Sequence, residues 1–324
     1  MKYIDMHCDT LLTIPDDGSH ELLLENNKAS VDFKRMKDSN AMAQFFAVFL
    51  LTEKIFEMLN KKVVSDEEYI IKSVGLLKDA VKSNSDIINM AYGYDDLIKN
   101  DKEGKMSAFL TIEDGRSATS LDKVKEYYNM GIRLIGLTWN DENCMGFPNS
   151  DDKVIMSKGL KDYGKEVVEY MNDIGIIVDV SHLSDGGFYD VAKISKKPFV
   201  ASHSNARSIS PHKRNLTDDM LKIIGTKGGV AGINFGPEFL NEDIANRYSK
   251  IELMVRHLNH MINTGGEDII ALGSDFDGIG GNLEINSSEK MPLLFDALRK
   301  AGWTEDLIEK LAYKNVLRVL KETL

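Results

Sequence analysis

Short apolar segments recur along the whole chain, and most run straight into a single histidine, glutamate or aspartate. The first is Tyr3–His7, inside Ile4-Asp5-Met6-His7-Cys8-Asp9-Thr10, which begins apolar and ends in a His-x-Asp. Ala43–Leu51 follows, too apolar to be half exposed. Met106–Ile112 then leads into Glu113-Asp114-Gly115, and Ile132–Thr138 into Trp139-Asn140. Ile176–Val180 runs into Ser181-His182, and Phe199–Ser202 into His203. Gly229–Asn234 comes next, and Ile269–Ser274 ends at Asp275. Length and β-branched content mark all of these as strands. After the polar stretch Asp16–Asn27, the intervening sequence changes to a helical period. Ile70, Val74, Leu77 and Val81 share one face of a helix over Asp66–Ser83. Helices are expected over Leu121–Met130 and Lys158–Ile174, each stopped by a glycine, Gly131 and Gly175. Others are expected over Gly187–Ile194, over Asp218–Thr226 with Thr217 as cap, over Ile251–Thr264 and over Glu305–Lys321. Tyr94–Asn100 reads as a helix or turn.

Strands alternating with helices in this number predict an α/β chain folded as a (β/α)8 TIM-type barrel, one domain over residues 1–324. A doubly wound open sheet would leave the ends of the first and last strands apart. The barrel gathers them, and it places function at the C-terminal ends of the strands. His7, Asp9, Glu113, His182, His203 and Asp275 all fall at those ends.

Composition narrows the class. A 43% hydrophobic content is enough for a sizeable core, and a formal charge of −11 disfavours nucleic acid or an anionic membrane as partner. Two cysteines, Cys8 and Cys144, imply no disulfide framework. No basic n-region precedes an apolar h-region, and no run of about 18 apolar residues suggests a membrane span. The expected location is cytoplasmic.

Imidazoles and carboxylates converging on one barrel mouth suit zinc or a similar borderline metal. In an extended strand His7 and Asp9 face the same way, with Asp5 one step deeper and Cys8 toward the helices. Five candidate ligands, His7, Asp9, Glu113, His182 and His203, exceed what one tetrahedral zinc needs. Two metals sharing Glu113 are therefore expected, since a carboxylate has two oxygens. Such a centre generates hydroxide at neutral pH and polarises a carbonyl, which means hydrolysis, with Asp275 carrying the proton. His257 and His260, three apart on a helix remote from the strand ends, read as packing or surface residues. Gly278-Ile279-Gly280-Gly281 lacks the Lys-Ser/Thr of a phosphate cradle and reads as a loop beside the pocket.

The ordered set of these motifs resembles the membrane (renal) dipeptidase family, zinc metallodipeptidases related to the amidohydrolase superfamily. Asp5-Met6-His7-Cys8-Asp9, Gln44-Phe45-Phe46, Ile112-Glu113-Asp114-Gly115 and Gly131-Ile132-Arg133 with Leu137-Thr138 carry the likeness in the first half. Asp179-Val180-Ser181-His182, Ser202-His203-Ser204-Asn205-Ala206, Arg214-Asn215 and Gly273-Ser274-Asp275-Phe276-Asp277-Gly278 carry it in the second. The resemblance implies His7, Asp9 and Glu113 on one zinc, and Glu113, His182 and His203 on the other. It also implies Arg214 on the carboxylate of a dipeptide, Asp275 as the proton carrier, tolerance of a D-residue at the C-terminal side, and a homodimer. One position departs from the family: the mammalian members have a substrate-contacting histidine after Leu-Thr, where this chain has Trp139. Asn140 or Asn143 could supply the missing donor, or Trp139 could only wall the pocket. Two other functions compete: a different amidohydrolase-type reaction on an N-acyl amino acid, lactone or phosphoester, and a non-catalytic metal-binding barrel.

Overall fold

The strands close into a barrel because each is apolar on both faces and needs cover on both. The computed structural model describes residues 1–16 and 18–324; Asp17, in the polar stretch Asp16–Asn27, lies outside the described residues. The barrel strands are β1 Tyr3–Cys8, β2 Ala41–Phe49, β3 Met106–Glu113, β4 Ile132–Gly136, β5 Ile177–Asp179, β6 Val200–Ala201, β7 Val230–Ile233 and β8 Ile270–Leu272. Neighbours pair in parallel, β8 against β1 and round to β7 against β8. A short strand not anticipated from the sequence, Ile88–Met90, pairs with the start of β3. The (β/α)8 barrel expected above is the fold observed.

Register decides what reaches the mouth. β2 and β3 pair without interruption from Ala43 with Ser107 to Phe49 with Glu113, so Phe49 stands beside Glu113. Phe45 and Phe109 share that face and stack inside the barrel, with ring centroids 4.6 Å apart. On β1 simple alternation fails: Asp5 pairs with Gln44 but Cys8 with Phe46, so three steps on β1 match two on β2. This irregularity, a bulge in effect, lets Ile4 and Met6 join the inner core while His7 still reaches the mouth. Asp5 is therefore not stacked beneath His7 as alternation predicts. Its carboxylate lies between strands and accepts from Ser274 N (2.9 Å) and Ser274 Oγ (2.6 Å). Cys8 is buried in the outer core beneath the helices, as expected.

The helices Asp66–Ser83, Leu121–Met130 and Asp218–Thr226 appear where the pattern places them. Thr217 caps the last by accepting from Met220 N, and Gly131 and Gly175 end their helices at φ of 100° and 81°. The helix expected from Lys158 begins at Asp162, because Lys161 is extended and the preceding Leu160 N–H bonds to Asp190. The last expected helix is interrupted: a π-helical turn, Lys310–Lys314, separates Glu305–Glu309 from Asn315–Thr323. Asn315, just past that turn, donates to Glu267 O and Ile270 O and so docks the helix on the barrel floor.

His257 is a structural group, as its place on a helix suggested. It is fully buried; its Nδ1 accepts from Ala206 N (3.2 Å) and its Nε2 donates to Leu240 O (3.0 Å). Burial pushes its pKa down to about 4. An unfolded histidine titrates near 6.5, so stability held above that pH is lost progressively as pH falls toward 4. Between pH 7 and pH 5 this group alone should cost about 2 kcal/mol. Urea unfolding of wild type and His257→Asn at both pH values checks this. The acid-induced loss should shrink by about that amount in the variant; an unchanged loss would refute it.

Candidate metal centre

Five strand ends deliver the site. Glu113 closes β3, His7 lies near the end of β1 and Asp9 just past it, His182 and His203 follow β5 and β6, and Asp275 follows β8. All are buried or nearly so. Glu113 stands between two groups: its Oε2 is 3.3 Å from His7 Nε2, while its Oε1 is 2.9 Å from His182 Nε2 and 3.8 Å from His203 Nε2. His7 Nε2 is also 3.4 Å from Asp9 Oδ2 and 3.8 Å from Asp275 Oδ1. The imidazoles of His7 and His203 stack at 3.9 Å between centroids. All six strand-end residues picked from the sequence thus meet in one cluster.

The backbone at these ends is unusual. His182, Asp275, Asp277 and Asp114 adopt positive φ of 68°, 62°, 70° and 74°. Histidine and aspartate are among the side chains that tolerate this region, at a cost of about 1–2 kcal/mol each. Sharp turns directly after the strands aim these side chains inward.

Burial dominates the electrostatics. It lowers His182 to about 4 and, with the positive His7 and Arg214, holds His203 well below the ordinary range. Burial also opposes a charge on His7, but Glu113 and Asp9 outweigh it and raise that imidazole. Glu113 stays ionised through His7 and His182 despite its burial, whereas burial together with neighbouring carboxylates raises Asp9 to about 6 and Asp275 to about 8. Protons are therefore drawn into a cluster that has more negative charge than it can hold alone, and a cation would replace them.

The residues fit a metal on independent grounds. His7 Nε2 and Asp9 Oδ1 are buried with no hydrogen-bond partner. Two triads, His7–Glu113–His203 and His7–Asp9–Asp275, each bring ligand atoms within 4.8 Å of one another. Gly278 leaves the necessary space, since a Cβ there would lie 2.1 Å from Asp9 Oδ2 and 2.6 Å from Asp275 Oδ1. That glycine was not singled out within its loop, and neither was Asn234, whose Nδ2 donates to Asp275 Oδ2 at 2.7 Å.

A pocket of about 210 Å³ opens over the cluster, walled by Leu12, Phe49, Trp139, Phe239 and Ile279. Trp139 packs on Phe49 at 4.9 Å and lies 6.2 Å from His182. Asn140 turns its Oδ1 to His182 Nδ1 at 3.1 Å. Asn143, weighed as a substrate donor, is committed elsewhere: its Nδ2 donates to Asp114 Oδ1 and Leu137 O, and its Oδ1 accepts from Met145 N and Gly146 N. Asp277, two residues past Asp275, accepts from Thr10 Oγ1 and Ser30 N at 2.6 Å each and pins the loop after β1. Arg214 is buried, not a solvated loop residue. Its Nη1 donates to Ser204 Oγ (3.0 Å) and its Nη2 to His203 O (3.1 Å), while its Nε has no partner.

A (β/α)8 barrel with a buried carboxylate between imidazoles at its C-terminal face defines a metallohydrolase of the amidohydrolase kind. The comparisons with known proteins are more specific. The membrane dipeptidase model, peptidase family M19, matches residues 1–324. An uncharacterised dipeptidase of Schizosaccharomyces pombe is 31% identical over 338 residues, covering 99% of this chain and 80% of its own. A Klebsiella pneumoniae protein encoded in the pqqA 5′ region is 35% identical over 260 residues, 77% of this chain and 94% of its own. Among solved structures, a Rhodobacter sphaeroides metallopeptidase bound to a phosphinate mimic of the dipeptide L-Ala-D-Ala superposes with a TM-score of 0.90 at 27% identity, over 100% of this chain and 99% of that one. This chain belongs to the membrane dipeptidase family, peptidase family M19, and is a metallodipeptidase. Among the described residues no helix is long and apolar enough to cross a membrane.

Gly278→Ala tests the geometry of the site. The added methyl would push Asp9 and Asp275 apart, and metal affinity should fall about tenfold or more, the scale of changes beside a ligand. Equilibrium dialysis against a chromophoric chelator reads this directly. Unchanged affinity would mean that the space between those carboxylates is not where metal binds.

Proposed function

We propose that the chain hydrolyses dipeptides on a binuclear zinc centre, with His7, Asp9 and Glu113 around one ion and Glu113, His182 and His203 around the other. The observation that carries this is the division of Glu113, one oxygen toward His7 and the other toward His182 and His203. Zinc bound there would supply Lewis acidity toward the scissile carbonyl and a water acidic enough to ionise at neutral pH. The rest belongs to the side chains. Arg214 binds the C-terminal carboxylate of the substrate through its buried, unpartnered Nε, while its bonds to Ser204 and His203 O hold the guanidinium still. Asp275 is fixed at Oδ2 by Asn234, so Oδ1 is left to take a proton and return it to the departing amine. Phe49, Trp139, Phe239, Leu12 and Ile279 exclude water around the reacting bond. Asn140 supports His182 through its Oδ1 and, lining the pocket, keeps its amide hydrogens for the substrate; Trp139 serves as wall. The Rhodobacter sphaeroides relative, with its L-Ala-D-Ala mimic, supports a dipeptide with a D-residue at the C-terminal side.

Two measurements test this. Elemental analysis of protein purified without chelators should find about two zinc per chain, and Glu113→Gln should lose both metal and activity, because one shared ligand serves both ions. One metal or none, with an unaffected variant, would sink the binuclear reading. Separately, Arg214→Met should raise KM about 10- to 100-fold with far less change in kcat, as expected for a charged hydrogen bond made equally in ground and transition states. A panel of L,L- and L,D-dipeptides beside N-acyl amino acids and lactones separates the readings. Intact dipeptides alongside cleaved N-acyl substrates would overturn the dipeptidase assignment.

A further inference from the structure

Behind His203 lies a pair of side chains that the reaction does not use directly. Asp179, the last residue of β5, and Ser202, just past β6, are both buried. Three donors converge on the Asp179 carboxylate: Ser181 N and Ser202 N on Oδ1, each at 2.9 Å, and Ser202 Oγ on Oδ2. A carboxylate in that setting only accepts, so the single hydroxyl hydrogen of Ser202 is spent on it. Ser202 Oγ, 2.7 Å from His203 Nδ1, then has only lone pairs to offer. The hydrogen in that contact must come from the ring.

We propose that Asp179 and Ser202 are positioning residues that fix His203 as its Nδ1–H tautomer and thereby leave Nε2 bare toward Glu113 and His182. The inference rests on the metal-centre reading for its purpose, but its geometry stands apart from it. The fold contains a control. Asp5 holds Ser274 by the same two bonds, from N and Oγ, yet Ser274 Oγ accepts from Phe276 N at 3.2 Å instead of from an imidazole. The Asp–Ser pair is thus a joint between neighbouring strands, and at β5 and β6 it also sets a ring hydrogen.

Asp179→Asn probes the chain of hydrogens with little change of shape. Its amide oxygen still receives the two backbone N–H groups, but its NH2 now donates to Ser202 Oγ. The Ser202 hydrogen turns onto His203 Nδ1, and the ring hydrogen moves to Nε2. Nitrogen-15 NMR of metal-free, histidine-labelled protein should report Nδ1–H at His203 in wild type and Nε2–H in Asp179→Asn. Zinc affinity of one of the two sites should fall about 10- to 100-fold in that variant. Ser202→Ala should lose less, because without the hydroxyl nothing drives the ring hydrogen onto Nε2. The double variant should bind zinc like Ser202→Ala alone, since the harm of Asp179→Asn passes through the hydroxyl; a merely structural role would make the losses add. Additive losses, or an Nε2–H tautomer in wild type, would overturn the relay. If the tautomer switches as described while wild type takes up no zinc, the relay stands and the metal-centre reading falls.

Discussion

Everything at the mouth of this barrel depends on one buried carboxylate shared between two sets of imidazoles. Glu113 is ionised, lies under the pocket, and spends one oxygen on each side. An isolated charge there would be too costly to bury. It is tolerated because His7 leans toward protonation and because His182 and His203, held neutral by burial, turn nitrogen atoms to within 3.1 Å of each other beside it. Such an arrangement is poorly satisfied by protons and well satisfied by cations.

The barrel holds that arrangement in place. Strand ends are rigid because each strand is hydrogen-bonded on both sides, and ligands anchored there cannot relax apart. Positive φ at His182 and Asp275 would relax in a loose loop. Here Asn149, through its N–H and its Nδ2, holds His182 O, and Asp275 N donates to His7 O, which ties β8 to β1 across the centre. Stability is thus spent on orientation at the C-terminal face, while the stacked rings of Phe45 and Phe109 and the floor of Val316, Val319 and Leu320 hold the other end.

Much of this is legible in the sequence alone. A strand shows itself locally, as a short β-rich run, and a polar residue ending such a run in a barrel can go only to the active face. Hence His7, Asp9, Glu113, His182, His203 and Asp275 could be picked one by one and found together. What was not legible depends on distant partners. The irregular register of β1 is set by β2, so strict alternation misplaced Asp5. Asp179 closes an apolar strand, Ser202 and Asn234 lie just past theirs, and all three become informative only once a neighbouring strand puts a carboxylate or a ring beside them. The π-turn at Lys310–Lys314 follows no local pattern either; the docking of Asn315 on residues some fifty positions away accompanies it.

Trp139 shows how local reading and geometry divide the work. The sequence marks it as a departure, because an indole carries no charge and offers one N–H. The structure shows what the indole does instead: it packs on Phe49, which the register of β2 sets beside Glu113, so an apolar wall rises directly over the shared carboxylate. A low-polarity wall there strengthens every charge–charge interaction beneath it. Arg214 lies against His203 O and the Phe239 ring, and in the proposed reading it takes the substrate's carboxylate. On that reading the carboxylate fixes one end of a dipeptide, and the aromatic wall is left to judge the side chain beside the scissile bond.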